Sequence, residues 1–379
     1  MKFEIKQSDF SKALLVASKS LPSRANLPIL TNILLTASLG KLDVVTTNLE
    51  TATKVRVDCK VEKEGRVTIP GRALLEFISQ LSEGSVNFEK LGEEALVLAG
   101  DFSARFATLG AEDFPAIPKI EKGTKILLKA SDLAKGIMRV AFCASQDEGR
   151  PVLTGILCDF GGGFLSMVAT DGYRLSFQKI HEDSKTKESI KIVVPAKALL
   201  EVAKIIVETE GLSKDEVVEV TIAQNLNQAD FKIRDVEFTS RLIEGEFPNW
   251  QKIIPVNFAS RAKITREEFI RFVKVASIFA RDSGNIVRLN LEQEGKGAVL
   301  KISASDNQLG SNEAKCEIEL SGKGGEIAFN FRYLLEMLSS VEGEDISFEM
   351  IESLNPGRLT VPELNDDYFH IIMPVRLQS

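Results

Sequence analysis

A short pattern that occurs three times constrains the fold of this chain more than any other feature of its sequence. The pattern, basic-x-Leu-Leu-Glu, begins at Arg72, Lys197 and Arg332, with steps of 125 and 135 residues. Each copy follows a strand-like apolar run and opens a helical one. Because this period is far longer than the roughly 20–50 residues of solenoid and propeller repeats, each copy is expected to be a whole domain.

Two further series have nearly the same offsets. One is a basic residue on an amphipathic helix, at Lys12, Lys135 and Arg271. The other is a polar pair, at Thr47-Asn48, Thr170-Asp171 and Ser305-Asp306. Three independent patterns therefore indicate a threefold duplication.

The order of elements within one copy predicts an α+β fold. Strand alternation and turn residues indicate a strand, a helix and several strands, and then the same series again. The first helices begin near Ser8 and Ser131, and Thr265 with Glu268 has the spacing of a capping box at the third. We expect antiparallel sheet on the outside and two helices on one face of each domain. Pro-containing stretches at 118–123 and 255–260 predict domains at 1–120, 121–256 and 257–379.

The first helix of each copy carries an apolar stripe at helical spacing opposite a basic face. The stripes are Phe10, Leu14 and Ala17; Leu133, Ile137 and Val140; and Phe269, Val273 and Ala276. The basic residues predicted to point outward are Lys12, Lys19, Lys135, Arg139, Arg271, Lys274 and Arg281, with Arg72, Lys197, Lys204 and Arg332 on the second helices. One such face is usually plain solvated surface. Three in register would form a continuous positive surface if the copies surrounded an axis, which favours sequence-independent contacts with duplex phosphates.

The composition limits how nucleic acid could be bound. A net charge of -7 over 379 residues argues against a protein that coats nucleic acid through bulk positive charge. The chain shows no signal-peptide pattern and no apolar run of the roughly 18 residues that span a membrane. Four widely spaced cysteines fit reduced thiols in a cytoplasmic protein rather than disulfides or a zinc site.

The sequence contains no convincing catalytic set, and we predict neither catalytic residues nor a metal or cofactor. Only two histidines occur, and no phosphate-binding loop of the GxxxxGK[ST] type is present. Asp171 could serve a carboxylate-dependent nucleic-acid enzyme, but Asn48 and Asp306 occupy its position in the other copies, which favours a turn. A scaffold of three repeated domains without a DNA role is a further alternative.

One region departs from the threefold pattern. It comprises 150–155, 169–175, the segment 247–255 with the single tryptophan, and the apolar C-terminal tail from His370. The tail must either finish a sheet or line a groove. Aromatic, Met and Arg side chains beside small residues are also typical of peptide-binding grooves.

These residues resemble those of a known family over the full length of the chain. The resemblance is carried by Leu27-Pro28-Ile29-Leu30, the segment 168–175, Ile192 to Pro195, the segment 238–242, Gly245-Glu246-Phe247-Pro248 and Met373-Pro374-Val375-Arg376-Leu377. The chain is similar to the β subunits of bacterial DNA polymerase III, the sliding clamps.

The resemblance implies a non-catalytic homodimeric ring around double-stranded DNA. Such a ring would tether the catalytic subunit of DNA polymerase III, require a clamp loader, and dock other polymerases and repair proteins through short peptides, with no membrane role. DNA-binding positions would be Arg24, Arg72, Gln146, Pro151 and Val152, to which the repeat adds Lys197. The peptide groove would comprise Leu153, Thr170, Gly172, Tyr173, Arg174, Leu175, Pro248, Lys252, Ile253, Pro356, Met373, Pro374, Val375, Arg376 and Leu377. The dimer interface would include Phe106, Ile278 and Phe279.

Overall fold

A computed structural model describes residues 1–182, 189–295 and 297–376. They form two compact units. The first unit comprises Met1–Ser131 and Glu201–Leu242, and the second comprises the described residues of Asp132–Leu200 and Ile243–Ser379.

Each copy of the repeat contains the two α-helices expected of it. The helices are α1 (Gln7–Ala17), α2 (Gly71–Gln80), α3 (Ala130–Val140), α4 (Ala196–Glu208), α5 (Arg266–Ala280) and α6 (Phe331–Ser340). The predicted apolar stripes of α1, α3 and α5 are buried in full. This burial confirms the helical periodicity read from the sequence.

Twenty-five strands surround these helices in the described ranges. The first copy contains β1 (Lys2–Lys6), β2 (Asn32–Ser38), β3 (Lys41–Thr47), β4 (Thr51–Asp58), β5 (Lys60–Lys63), β6 (Gly65–Pro70), β7 (Ser85–Leu91), β8 (Glu94–Ala99) and β9 (Phe102–Ala107). The second contains β10 (Gly123–Lys129), β11 (Gly155–Gly161), β12 (Phe164–Thr170), β13 (Arg174–His181), β14 (Ile190–Pro195), β15 (Val217–Ala223), β16 (Gln228–Ile233) and β17 (Val236–Arg241). The third contains β18 (Ser260–Thr265), β19 (Ile286–Glu294), β20 (Gly297–Asp306), β21 (Gly310–Gly322), β22 (Gly325–Asn330), β23 (Asp345–Met350), β24 (Gly357–Thr360) and β25 (Tyr368–Ile372).

The strands form antiparallel sheets within each unit. The first unit contains a five-stranded sheet, β5-β1-β7-β8-β9, and an eight-stranded sheet, β10-β15-β16-β17-β4-β3-β2-β6. The second unit contains one sheet of twelve strands, in the order β14-β11-β12-β13-β25-β24-β23-β18-β21-β20-β19-β22. In each unit, therefore, a strand from the end of one copy joins the sheet of the copy before it.

The structure confirms the predicted order of elements and corrects one detail of helix capping. Each copy reads strand, helix and strands twice, with β5 as an addition in the first copy. Gly162 and Gly163, both with positive φ, form the two-residue turn between β11 and β12. Thr265 precedes α5, but its side chain makes no capping hydrogen bond. The capping-box prediction at this helix is therefore wrong.

Two further observations concern the cysteines and the helices. All four cysteines are free thiols, and three of them are buried. No helix among the described residues is long and apolar enough to cross a membrane.

Candidate nucleic-acid interface and partner-peptide groove

The basic residues of the helices are mostly exposed, as the amphipathic pattern predicts. Lys12, Lys135, Arg271, Lys274, Arg281, Arg72, Lys197, Lys204 and Arg332 are all exposed. Two residues differ from the expectation of an outward position. Lys19 lies in a 3-10 turn, where its side chain is only 14% exposed, and Arg139 is half-buried because its guanidinium donates to Gln178 Oε1 at 3.1 Å.

Carboxylates accompany many of these cations. The ion pairs are Lys12–Glu210 at 2.7 Å, Lys19–Glu208 at 2.9 Å, Lys135–Glu342 at 3.5 Å, Lys204–Glu201 at 2.7 Å and Arg271–Glu268 at 3.2 Å. Exposed pairs of this kind add little stability. They do, however, reduce the positive potential that the helix faces can offer to a phosphate.

The other predicted DNA-binding residues lie in corresponding loops of the first and second copies. Arg24 precedes the short helical turn Pro28–Thr31, and Gln146 precedes the similar turn Pro151–Thr154. Arg24, Gln146 and Pro151 are exposed. Val152 is half-buried and packs against an apolar cluster, so its side chain is only partly available for contact.

Asp171 fixes a tight turn. Its Oδ1 accepts hydrogen bonds from the backbone N–H groups of Tyr173 at 2.9 Å and Arg174 at 3.0 Å. Asn48 and Asp306 accept from the N–H groups two and three residues ahead in the same way. The prediction that the polar pair forms a turn is therefore confirmed in all three copies. Asn and Asp can both occupy this position because each has a side-chain oxygen that accepts hydrogen bonds from the backbone N–H groups of the turn.

Arg174 lies beneath the surface rather than on it. Its guanidinium forms an ion pair with Asp171 at 3.1 Å and another with Glu336 of α6, and it donates to the carbonyl of Phe142 at 2.8 Å. The ring centroid of Tyr333 lies 4.4 Å from the guanidinium carbon. With only 8% of the residue exposed, Arg174 supports the loop 171–173 from below.

A buried polar group lies close to Arg174. Ser176 Oγ is 2.7 Å from His370 Nδ1 and 3.4 Å from Cys143 Sγ. Burial raises the pKa of the Cys143 thiol to about 12 and lowers the pKa of His370 to about 3. Both groups are therefore neutral at physiological pH and shielded from solvent, which suits a structural role and not nucleophilic chemistry.

The predicted groove residues divide into a buried floor and an exposed rim. Leu153, Thr170, Arg174 and Leu175 are buried. Gly172, Tyr173, Pro248, Lys252, Ile253, Met373 and Arg376 are exposed, and Pro356, Pro374 and Val375 are half-buried. Leu377 lies outside the described residues. The backbone N–H of Met373 donates to the carbonyl of Tyr173 at 2.8 Å, which joins the tail to the Asp171 turn.

The tail both finishes a sheet and extends beyond it. β25 pairs with β13 and β24, with Ile372 opposite Arg174. The chain then leaves the sheet at Met373, and the N–H of Val375 donates to the carbonyl of Ala328 at 2.9 Å. The expectation that the tail finishes a sheet is thus confirmed, and the chain continues beyond the sheet at 373–376.

An aromatic stack under this surface was not predicted from the sequence. The rings of Phe177 and Phe369 are stacked at 4.8 Å, and Trp250 lies 5.4 Å from Phe177. These rings belong to an apolar cluster with Leu157, Val168, Leu175, Val193 and Ile371. The single tryptophan marks the segment 247–255 in the sequence, but no sequence pattern links it to Phe177 and Phe369. The pairing of β13 with β25 brings these two phenylalanines together.

The three residues expected at a dimer interface lie on two elements. Phe106 is half-buried on β9, with its ring edge-on to Phe77 at 5.8 Å. On α5, Ile278 is 51% exposed and Phe279 packs partly against the core of the third copy.

Comparison with known proteins identifies the class. Models of the DNA polymerase III beta subunit match the chain as N-terminal domain over residues 1–118, central domain over 127–249 and C-terminal domain over 251–376. A DNA polymerase sliding clamp from Bacillus subtilis superposes with a TM-score of 0.93 at 25% identity, and the DNA polymerase III subunit beta of Pseudomonas aeruginosa with 0.92 at 27%, each covering 100% of both chains. The fold is that of a sliding clamp, with three clamp domains.

The relatives agree in sequence as well as in structure. The beta sliding clamp of Synechocystis sp. is 30% identical over 100% of both chains, and that of Pseudomonas aeruginosa is 28% identical with the same coverage. This chain belongs to the DNA polymerase III beta subunit family. It is a non-catalytic processivity factor whose partners are DNA and DNA polymerase III, so family membership excludes the enzyme alternative.

Proposed function

We propose that two copies of this chain close head-to-tail into a ring around duplex DNA and hold DNA polymerase III there by topology. Each chain supplies three domains, which comprise residues 1–120, 121–256 and 257–379. A closed ring needs no tight grip on DNA, which reconciles the net charge of -7 with a DNA role. The cytoplasm, where thiols stay reduced, is the expected compartment.

The way in which successive copies of the repeat join supports this proposal. β4 of the first copy pairs with β17, the last strand of the second copy. β13 of the second copy pairs in the same way with β25, the last strand of the third. The corresponding strand of the third copy is β21, and the last strand of the first copy is β9. β9 is the last strand of its sheet, so one of its edges is unpaired. Residues 310–318 of β21 pair with β20 on one edge, and their other edge has no strand partner among the described residues.

We call the pairing of β4 with β17 and that of β13 with β25 the two junctions between successive copies. Both have the same register, and this register predicts how β21 would pair with β9 of the other subunit. Val55 pairs with Val236, and Gln178 pairs with Tyr368. Val236 and Tyr368 are the first residues of their strands, as Phe102 is of β9. Val55 lies seven residues after the turn residue Asn48, and Gln178 lies seven residues after Asp171. In the third copy, Glu313 lies seven residues after Asp306. Phe102 should therefore face Glu313 of the other subunit, which puts Phe106 opposite Leu309 and Ala104 opposite Ser311.

Disulfide trapping tests this closure. Ala104→Cys combined with Ser311→Cys should give a covalently closed dimer on oxidation, because opposed Cβ atoms in an antiparallel pair lie about 4.5–5.5 Å apart. The control, Ala104→Cys with Glu313→Cys, is displaced by two residues and should cross-link poorly. Equal yields from both, or none from the first, would contradict the proposed register.

The proposed DNA contacts are Arg24, Arg72, Gln146, Pro151, Val152 and Lys197. Exposed basic helix faces in all three copies support them, since contacts to phosphates bind duplex without sequence preference. A loaded clamp should remain on circular duplex and leave linear duplex through its ends. Equal loss from both would refute topological tethering.

The proposed groove receives short peptides from the polymerase catalytic subunit, the clamp loader, and other polymerases and repair proteins. Exposed Tyr173, Ile253 and Met373 offer apolar contacts close in sequence to the cluster that holds Phe177, Trp250 and Phe369. Tyr173→Ala with Met373→Ala should weaken binding of a polymerase-derived peptide at least about tenfold, as loss of two interface anchors does. The exposed pair Leu39→Ala with Leu226→Ala, remote from the proposed groove in sequence, should leave peptide binding unchanged.

A further inference from the structure

A glutamate-glycine pair follows the second helix of every copy. The pairs are Glu83-Gly84 after α2, Glu210-Gly211 after α4 and Glu342-Gly343 after α6. Two of the three glutamates bind a cation at the corresponding position on a first helix: Lys12 binds Glu210 at 2.7 Å, and Lys135 binds Glu342 at 3.5 Å.

These two ion pairs accompany the two strand junctions described above. Lys12 lies in the first copy and Glu210 in the second, where β4 pairs with β17. Lys135 lies in the second copy and Glu342 in the third, where β13 pairs with β25. Each junction thus includes a strand pair and, among its ion pairs, one that runs from a first helix to the end of the next copy's second helix.

The third cation and the third glutamate of these series are Arg271 and Glu83, which do not pair with each other within one chain. Arg271 occupies the repeat position of Lys12 and Lys135, and its side chain is 67% exposed. Its ion pair is with Glu268, one turn earlier on the same helix. Glu83 is exposed, and in the part of the chain that the structure describes it makes no ion pair. At the two ends of the repeat, therefore, Arg271 is exposed and paired only with a neighbour on its own helix, and Glu83 is exposed.

We propose that Arg271 forms an ion pair with the partner subunit's Glu83 and completes the third junction between copies of this chain. The proposal rests on the head-to-tail ring proposed above. An exposed pair adds modest affinity. Its larger effect is on orientation, because opposite charges favour the head-to-tail encounter and disfavour contacts that bring like charges together.

Charge reversal in separate chains tests this pair. Arg271→Glu alone and Glu83→Arg alone should each weaken the dimer about tenfold or more, because both junctions of the homodimer then carry like charges. Mixing the two variants should restore a dimer close to the natural affinity. In the mixed ring one junction combines the two reversed charges and the other keeps the natural pair. An interaction within one chain could not be restored in this way.

The control and the readout separate this inference from the ring itself. Lys12→Glu reverses the equivalent cation, whose partner Glu210 is in the same chain, and should change the dimer dissociation constant less than about twofold. Analytical ultracentrifugation across concentrations measures each value. A monomeric natural protein would refute the proposed ring. A natural dimer whose single reversals have no effect, or are not restored by mixing, would overturn the Arg271–Glu83 pair alone.

Discussion

Arg174 shows how one side chain can differ in role from what its neighbours suggest. The sequence places it between exposed residues of a candidate groove, yet its guanidinium is enclosed by Asp171, Glu336 and the ring of Tyr333. A planar guanidinium presents five donors in a rigid fork and can also stack on an aromatic ring, whereas a lysine offers three donors around a point charge. We therefore expect Arg174 to affect the proposed groove mainly by holding the loop 171–173 in place.

We expect Arg174→Ala to lower the free energy of unfolding of the second unit by about 2–3 kcal/mol, less than for a fully buried pair because Glu336 is half-exposed. The loss should appear as a lower midpoint in urea unfolding followed by Trp250 fluorescence. Arg332→Ala removes an exposed arginine at the start of α6 and serves as the control. Equal midpoints for the two variants would show that the buried contacts are not stabilising.

At the scale of elements, similar helix starts are stabilised differently. Asn330 caps α6, since its side chain accepts a hydrogen bond from the backbone N–H of Arg332 at 3.0 Å. Thr265 occupies the same place before α5 but makes no such bond. The sequence favoured Thr265 as the cap, because Glu268 follows at the right spacing. Glu268 instead pairs with Arg271.

These helix starts give a paired prediction. Asn330→Ala should lower the free energy of unfolding by about 1 kcal/mol, the usual value of a side-chain cap. Thr265→Ala should lower it by less than about 0.5 kcal/mol, because no capping bond is lost. Chemical denaturation of both variants measures the difference. A loss for Thr265→Ala as large as that for Asn330→Ala would contradict this difference between the two helix starts.

At the scale of the whole molecule, we expect the distribution of charge to keep DNA binding weak. The chain carries a net charge of -7, and carboxylates pair with the exposed cations of the helices. If these lysines contact DNA as predicted from the repeat, such internal pairs would compete with the phosphates for them. The arrangement suits a protein that must remain on DNA and still move along it.

Removing the competing carboxylates should therefore strengthen DNA binding. Glu208→Gln, Glu210→Gln and Glu342→Gln together free Lys19, Lys12 and Lys135. Affinity for duplex should rise, and its salt dependence should steepen by up to about 0.9 in log–log slope for each new phosphate contact. The control combines Glu62→Gln, Glu219→Gln and Glu326→Gln, whose ion pairs lie on strands. A salt slope that matches the control would show that the helix cations do not reach DNA.

The sequence by itself determined the threefold repeat, the helices with their buried stripes, the polar turns and the family. These features depend on local spacing, which a linear chain records directly. It could not reveal that β25 lies beside β13, that Phe177 stacks on Phe369, or that Arg174 is enclosed by α6. Those contacts join residues far apart in the chain. Only the tertiary structure decided them, because the register between distant strands depends on how whole copies pack and on which backbone edges remain to be paired.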